Sequence, residues 1–168
     1  TAFLGANLSL KDSYYKEGSL MLQRFWDGNE SSEIRAYLTP VFEIPISGEL
    51  ITTKVTIDYL GGDFNTSYAS DDSISYSNLL LGVTPNLVVL RDDLTVNLGA
   101  SIFYAKEEEN STLFIYPNIT ASYRLVDEYV IAFGGIEGKP IQNSYSNFVS
   151  NNPFVSPTLL VRPTDQQY

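Results

Sequence analysis

"LTVNLGASIFYAKEEE" spans residues 94–109. Leu94, Val96, Leu98, Ala100, Ile102 and Tyr104 are apolar, and Thr95, Asn97, Gly99 and Ser101 between them are small and polar. Alternate side chains therefore belong to opposite faces, which is the period of a β-strand and not of a helix. The stretch is also long. Twelve residues at about 3.3 Å each cover roughly 40 Å, where soluble strands average about 5–6 residues. Tilted by about 40°, such a strand covers roughly 30 Å of a membrane normal, close to the thickness of a hydrocarbon core.

The same period recurs on both sides of this stretch. Tyr, Thr, Val, Ile and Phe are abundant, and strands are expected over 2–10, 18–26, 33–46, 50–60, 74–90, 94–105, 112–124 and 129–137, with a ninth near 157–162. No helix is needed to join them, so an antiparallel up-and-down meander is the simplest all-β topology. The connections alternate. Those at 45–49, 90–93 and 125–128 are short, and those at 27–32, 61–73, 106–111 and 138–156 are longer and rich in Asn, Ser, Asp and Gly. Short turns on one side and long loops on the other are expected of an outer-membrane barrel. A hairpin loop at Arg91-Asp92 would set Val89 against Leu94, and a turn centred on Val126 would set Tyr123 against Tyr129. Both keep apolar faces together.

Charge placement indicates what the apolar face touches. Residues 74–90, 94–105 and 112–123 contain no Asp, Glu, Lys or Arg. The exposed face of a soluble sheet usually carries such residues along its strands. In 33–46 and 50–60, where charges do occur, Arg35, Glu43, Lys54 and Asp58 all share parity with the polar face. They are the candidate lumen-lining residues, with Glu43 expected opposite Lys54. On a lipid-facing side each would cost about 2–4 kcal/mol at the bilayer midplane. Trp26, Tyr59, Tyr104, Tyr123 and Tyr129 fall near strand ends, where a ring with a polar tip suits the headgroup level, and are the candidate aromatic girdle. Pro40, Pro45 and Pro117 run against a closed ladder. Each must sit at a bulge, outside the hydrogen-bonded span, or on an open edge.

Composition excludes much else. The 168-residue chain has a net charge of -10, no cysteine and no histidine. The charge disfavours nucleic acid, and the missing residue types exclude disulfides, Cys/His zinc sites and Ser-His-Asp or Cys-His catalysis. No apolar run approaches the roughly 20 residues of a helical span. "GGIEGKP" at 134–140 misses the P-loop pattern, with Phe133 where the first Gly belongs and Pro140 in place of Ser/Thr. The acidic clusters at 71–72, 92–93 and 107–109 lack EF-hand spacing and read as solvated loops. No cofactor and no enzymatic activity are expected.

Two stretches carry a resemblance. "EIRAYLTPVFEIPI" at 33–46 and "EYVIAFGGIEGKPIQNSYSNFVSNNPFVSPTLLVRPTDQQY" at 128–168 resemble Bacteroidota outer-membrane β-barrel proteins of the TonB-dependent receptor-like kind. The resemblance implies a Gram-negative outer-membrane location, lipid as surroundings, and a role in solute uptake within a larger barrel. The 168 residues would then be a single barrel segment, truncated at one or both ends, its remaining strands and any plug domain lying outside it. A small structural or adhesive barrel and a secreted β-sandwich binding module are the alternatives.

Overall fold

The computed structural model describes residues 1–10, 13–28, 30–46, 49–64, 73–126, 129–155 and 161–167. Eight strands follow one another as a continuous antiparallel meander: β1 (Ala2–Ser9), β2 (Tyr15–Trp26), β3 (Ser32–Ile46), β4 (Glu49–Phe64), β5 (Ile74–Arg91), β6 (Leu94–Lys106), β7 (Ser111–Val126) and β8 (Val130–Ile136). Each pairs with its sequence neighbours, and β1 and β8 form two free edges, so the sheet is not closed. After β8 come β9 (Gly138–Ile141), the helix α1 (Tyr145–Asn151) and β10 (Thr164–Gln167), which pairs with β9.

Register carries the period-2 pattern across the sheet. Leu20, Leu38, Ile57, Leu81, Tyr104 and Leu113 form one row over six strands. All point to the same side, and the next row on that side, Val55, Val83, Ile102 and Ile115, is apolar as well. That side is nevertheless the exposed one: Leu98 and Ile102 are each 44% exposed and Ile115 65%. Every buried residue described in the eight-stranded sheet lies on the opposite, polar side, among them Glu33, Thr39, Asp58, Asn78 and Ser101. The sheet is thus inverted relative to a soluble sandwich, which buries its apolar face.

The prolines resolve without a bulge at each site. Pro40 pairs with Gly18 of β2, and the β3–β4 ladder skips from Leu38 to Val41. Pro85 pairs with Thr53 of β4, and the β5–β6 ladder skips from Val83 to Asn86. Pro45 lies beyond the end of the β2–β3 ladder, and Pro117 beyond the end of the β7–β8 ladder. Each proline thus has one side on which the ladder is interrupted or already over, where its missing N–H takes no bond from the sheet.

Three registers differ in detail from the sequence expectation. The β5–β6 hairpin closes at Arg91–Leu94 around Asp92-Asp93, with Asp92 at φ 45°, so Val89 faces Val96. The β3–β4 pairing sets Glu43 against Thr52 and Lys54 against Val41. Both are two-residue slips and leave the faces unchanged. In β7–β8 the pairing begins four residues further on, at Val126–Val130, and an irregularity between Arg124 and Val126 shifts it by one, so Tyr123 faces Ala132 and not Tyr129. A one-residue shift reverses the parity of everything beyond it. Ala132, Gly134 and Ile136 therefore join the apolar face, and Ile131 and Phe133 point to the polar side.

The expected ninth strand near 157–162 is not found where described: residues 156–160 lie outside the described set, and Val161 and Arg162 are not in a strand. The long connection expected over 138–156 instead holds β9 and α1. Ser144 caps α1, its hydroxyl accepting from the Asn147 N–H at 3.1 Å. Tyr145, Phe148 and Val149, at helical i, i+3, i+4 spacing, turn one apolar face toward the sheet.

Candidate functional site: the polar face and its strap

The polar face divides along the strand axis. Its short-turn half is open and lined by Thr52, Lys54, Thr95, Asn97 and Thr120, with Asn97 Nδ2 donating to Thr120 Oγ1 at 2.8 Å. Its long-loop half is covered by residues 138–155 and 161–167, which cross from β6 and β7 to β2 and β3 as a strap. At one end β9 lies against β7, so close that a Cβ on Gly138 would come within 2.4 Å of the Tyr116 ring. Beneath it Leu80, Phe103, Ala105 and Tyr116 form one apolar cluster. At the other end Tyr145 and Val161 pack with Phe25, Leu60 and Phe64, and the Tyr145 ring meets Phe64 edge-on at 4.6 Å.

Glu33 is the polar centre of this contact. Its side chain is 3% exposed. Its carboxylate accepts from the Tyr145 N–H at 2.7 Å and the Ser146 N–H at 3.2 Å, the first amides of α1, and from the Tyr76 hydroxyl. A carboxylate is well matched to such amides, which have no partner inside the helix. Two further bonds tie the strap down: Gln23 Nε2 donates to Ser146 Oγ at 3.1 Å, and Asn78 Nδ2 donates to the Val161 carbonyl at 3.0 Å. At the mouth Arg162 lies 3.4 Å from Glu107 of the β6–β7 connection.

The four lumen candidates all project from the polar face, but they are not one cluster. Arg35 and Asp58 form a forked pair, Nε to Oδ1 at 2.8 Å and Nη2 to Oδ2, buried deep enough that Asp58 is 2% exposed. Glu43 pairs with Lys16 at 2.9 Å and not with Lys54. The two-residue register slip carries Lys54 two residues further along β3, opposite Val41, into an open groove with Glu17, Ser19 and Thr39.

Of the aromatic candidates, Trp26, Tyr59 and Tyr104 stand on the apolar face toward the long-loop end, and Tyr123 stands beside Leu94 at the short-turn end. Tyr129 lies in the β7–β8 turn, 89% exposed. Tyr59 leans toward the mouth over Gly61, where an added Cβ would meet its hydroxyl at 2.8 Å.

Sequence reasoning missed Glu33, Tyr76, Gln23 and Asn78. Glu33 was identifiable by parity, since it shares the face of Arg35, and "SYSNFV" at 144–149 carries both a cap residue and helical spacing. What joins them was not visible, because backbone amides leave no mark in a sequence. Among the described residues no group of three or more potential ligands could hold a metal ion. Asp71 and Asp72 lie outside the described residues. No family model matches the chain, and neither does any curated protein or solved structure.

Proposed function

We propose that this sheet is a wall segment of a transmembrane β-barrel in a Gram-negative outer membrane, whose polar side lines a passage for solute uptake. The inverted sheet carries the reading. An apolar face running across the sheet is exposed, while the charged and amide-bearing face holds all the buried residues described in the sheet. Contiguous apolar surface of this extent marks contact with another apolar phase.

The ends of that face support the same reading. Lys, Arg, Asp and Glu on the apolar side of β2–β7 occur as Arg24, Glu49, Asp63, Arg91 and Lys106, each within two residues of a strand end. From Leu94 to Tyr104 the uncharged run of β6 covers about 33 Å, or about 25 Å of membrane normal at a 40° tilt, the height of a barrel's apolar band. Trp26, Tyr59, Tyr104 and Tyr123 sit toward its margins.

The strap bears on barrel size. Eight strands closed on themselves leave an interior that side chains alone just fill. A peptide segment with its own helix and hairpin does not fit such a lumen. The two free edges at β1 and β8 therefore pair with further strands of a wider barrel, as an uptake role requires.

Trp26 is the chain's single tryptophan and stands on the apolar face, 52% exposed. Refolded into phosphatidylcholine vesicles, the chain should show blue-shifted emission, strongly quenched by lipids brominated near the headgroup end of the acyl chain and weakly by water-soluble acrylamide. A monodisperse chain in plain buffer, with Trp26 freely quenched by acrylamide, would refute the membrane reading.

A further inference from the structure

The strap is held to the wall by apolar packing at both ends and by polar contacts to β2, β3, β5 and the β6–β7 connection, of which the Glu33 carboxylate makes two. We propose that residues 138–155 and 161–162 close the long-loop mouth of the passage from within, and that Glu33 is the positioning residue whose carboxylate keeps the strap docked. The proposal rests on the reading of the polar face as a lumen.

Three features set this contact apart from ordinary packing. First, the carboxylate's partners on the strap are backbone amides, at Tyr145 and Ser146, so the docked position is set by helix geometry and not by one side chain. Second, Glu33 is almost wholly buried under the strap, and lifting the strap returns it to water. Burying a carboxylate is tolerated only while its acceptors are satisfied. Docking and satisfaction of Glu33 are therefore one event, with little stability for half-lifted states. Third, the two strap ends are chemically unlike. Both ends pack on apolar clusters, and the α1 end is in addition joined by the buried polar side chains Glu33, Gln23 and Asn78. Loss of the Glu33 carboxylate is expected to loosen the α1 end while β9 and β10 stay paired.

The chain has no cysteine, so one introduced thiol reports one position. Ser146→Cys places it on α1 where the native side chain is 3% exposed. Asn110→Cys, in the exposed β6–β7 turn, is the reference. With Glu33 intact, a maleimide should label Ser146→Cys at least tenfold more slowly than Asn110→Cys in the folded, detergent-solubilised chain. Adding Glu33→Ala should bring the two rates within about twofold, with the sheet's far-ultraviolet circular dichroism unchanged. Labelling as fast as the reference with Glu33 present, or protection that persists after Glu33→Ala, would overturn the proposal. Should Glu33→Ala fail to fold, Glu33→Gln keeps the shape and one acceptor oxygen, and a rise of at least threefold is then expected. No rise refutes the role. The unchanged circular dichroism, which a general loosening of the sheet would alter, shows that the change is local. The labelling needs no bilayer, so failure of the membrane reading shows in the Trp26 experiment and failure of the strap shows here.

Discussion

Replacing Leu98 by Arg tests the orientation of the whole sheet, because the two possible surroundings give effects of very different size. Leu98 is on the apolar face of β6, paired with Leu87 and Ile119, and 44% exposed. It lies two residues from Ala100, the middle of β6, which is about 7 Å along the strand or about 5 Å along the normal at a 40° tilt. That is well inside the apolar band. In lipid, an arginine this deep destabilises a barrel by about 2–4 kcal/mol, a factor of roughly 30 to 700 in the folding equilibrium at 1.4 kcal/mol per decade. In water, the same change trades an exposed leucine for a charge, and surface substitutions of that kind stay within about 0.5 kcal/mol. Ser111→Arg is the companion. It sits on the same face at the mouth end of β7, paired with Lys106, where the cost in lipid falls to about 0–1 kcal/mol. Reversible guanidinium unfolding of the vesicle-inserted chain, followed by Trp26 emission, measures both. Equal stabilities for Leu98→Arg, Ser111→Arg and the parent would refute a lipid-facing apolar side.

Further outcomes follow from the polar face. Asp58→Ala leaves the Arg35 guanidinium buried without its forked partner and should cost about 3–5 kcal/mol, most of it recovered in Arg35→Met/Asp58→Leu; chemical unfolding of the three variants measures this. The Lys16–Glu43 pair is solvent-accessible on both sides, so its double-mutant cycle should give a coupling of about 0.2–1 kcal/mol, and the same cycle for Lys54 and Glu43 should give none. Gly82 faces Phe103 across the β5–β6 ladder, and a Cβ there would come within 2.1 Å of the ring. Gly82→Val should therefore destabilise by about 1–3 kcal/mol, and Phe103→Ala in the same chain should relieve part of that loss.

Parity is what the sequence determined by itself. A side-chain period of two fixes which residues share a face whatever their partners, so Arg35, Glu43, Lys54 and Asp58 could be placed together, and the apolar rows predicted, before any pairing was known. The two-residue slips at Asp92-Asp93 and at the β3–β4 hairpin did no damage to that prediction, since an even shift preserves parity. The single inserted residue after Arg124 did, and it turned Phe133 and Ile131 inward, because nothing local distinguishes a bulge from a turn one residue longer. Sequence also removed whole classes of chemistry through the absence of His and Cys. Only the tertiary structure decided which face is covered and by what. The strap from Gly138 onward has no strand alternation to announce it, and its anchor joins Glu33 to the Tyr145 amide across 112 residues of chain. Contacts made by backbone N–H groups depend on where the chain has been carried in space, and that is set by the sheet as a whole and not by the residues that meet.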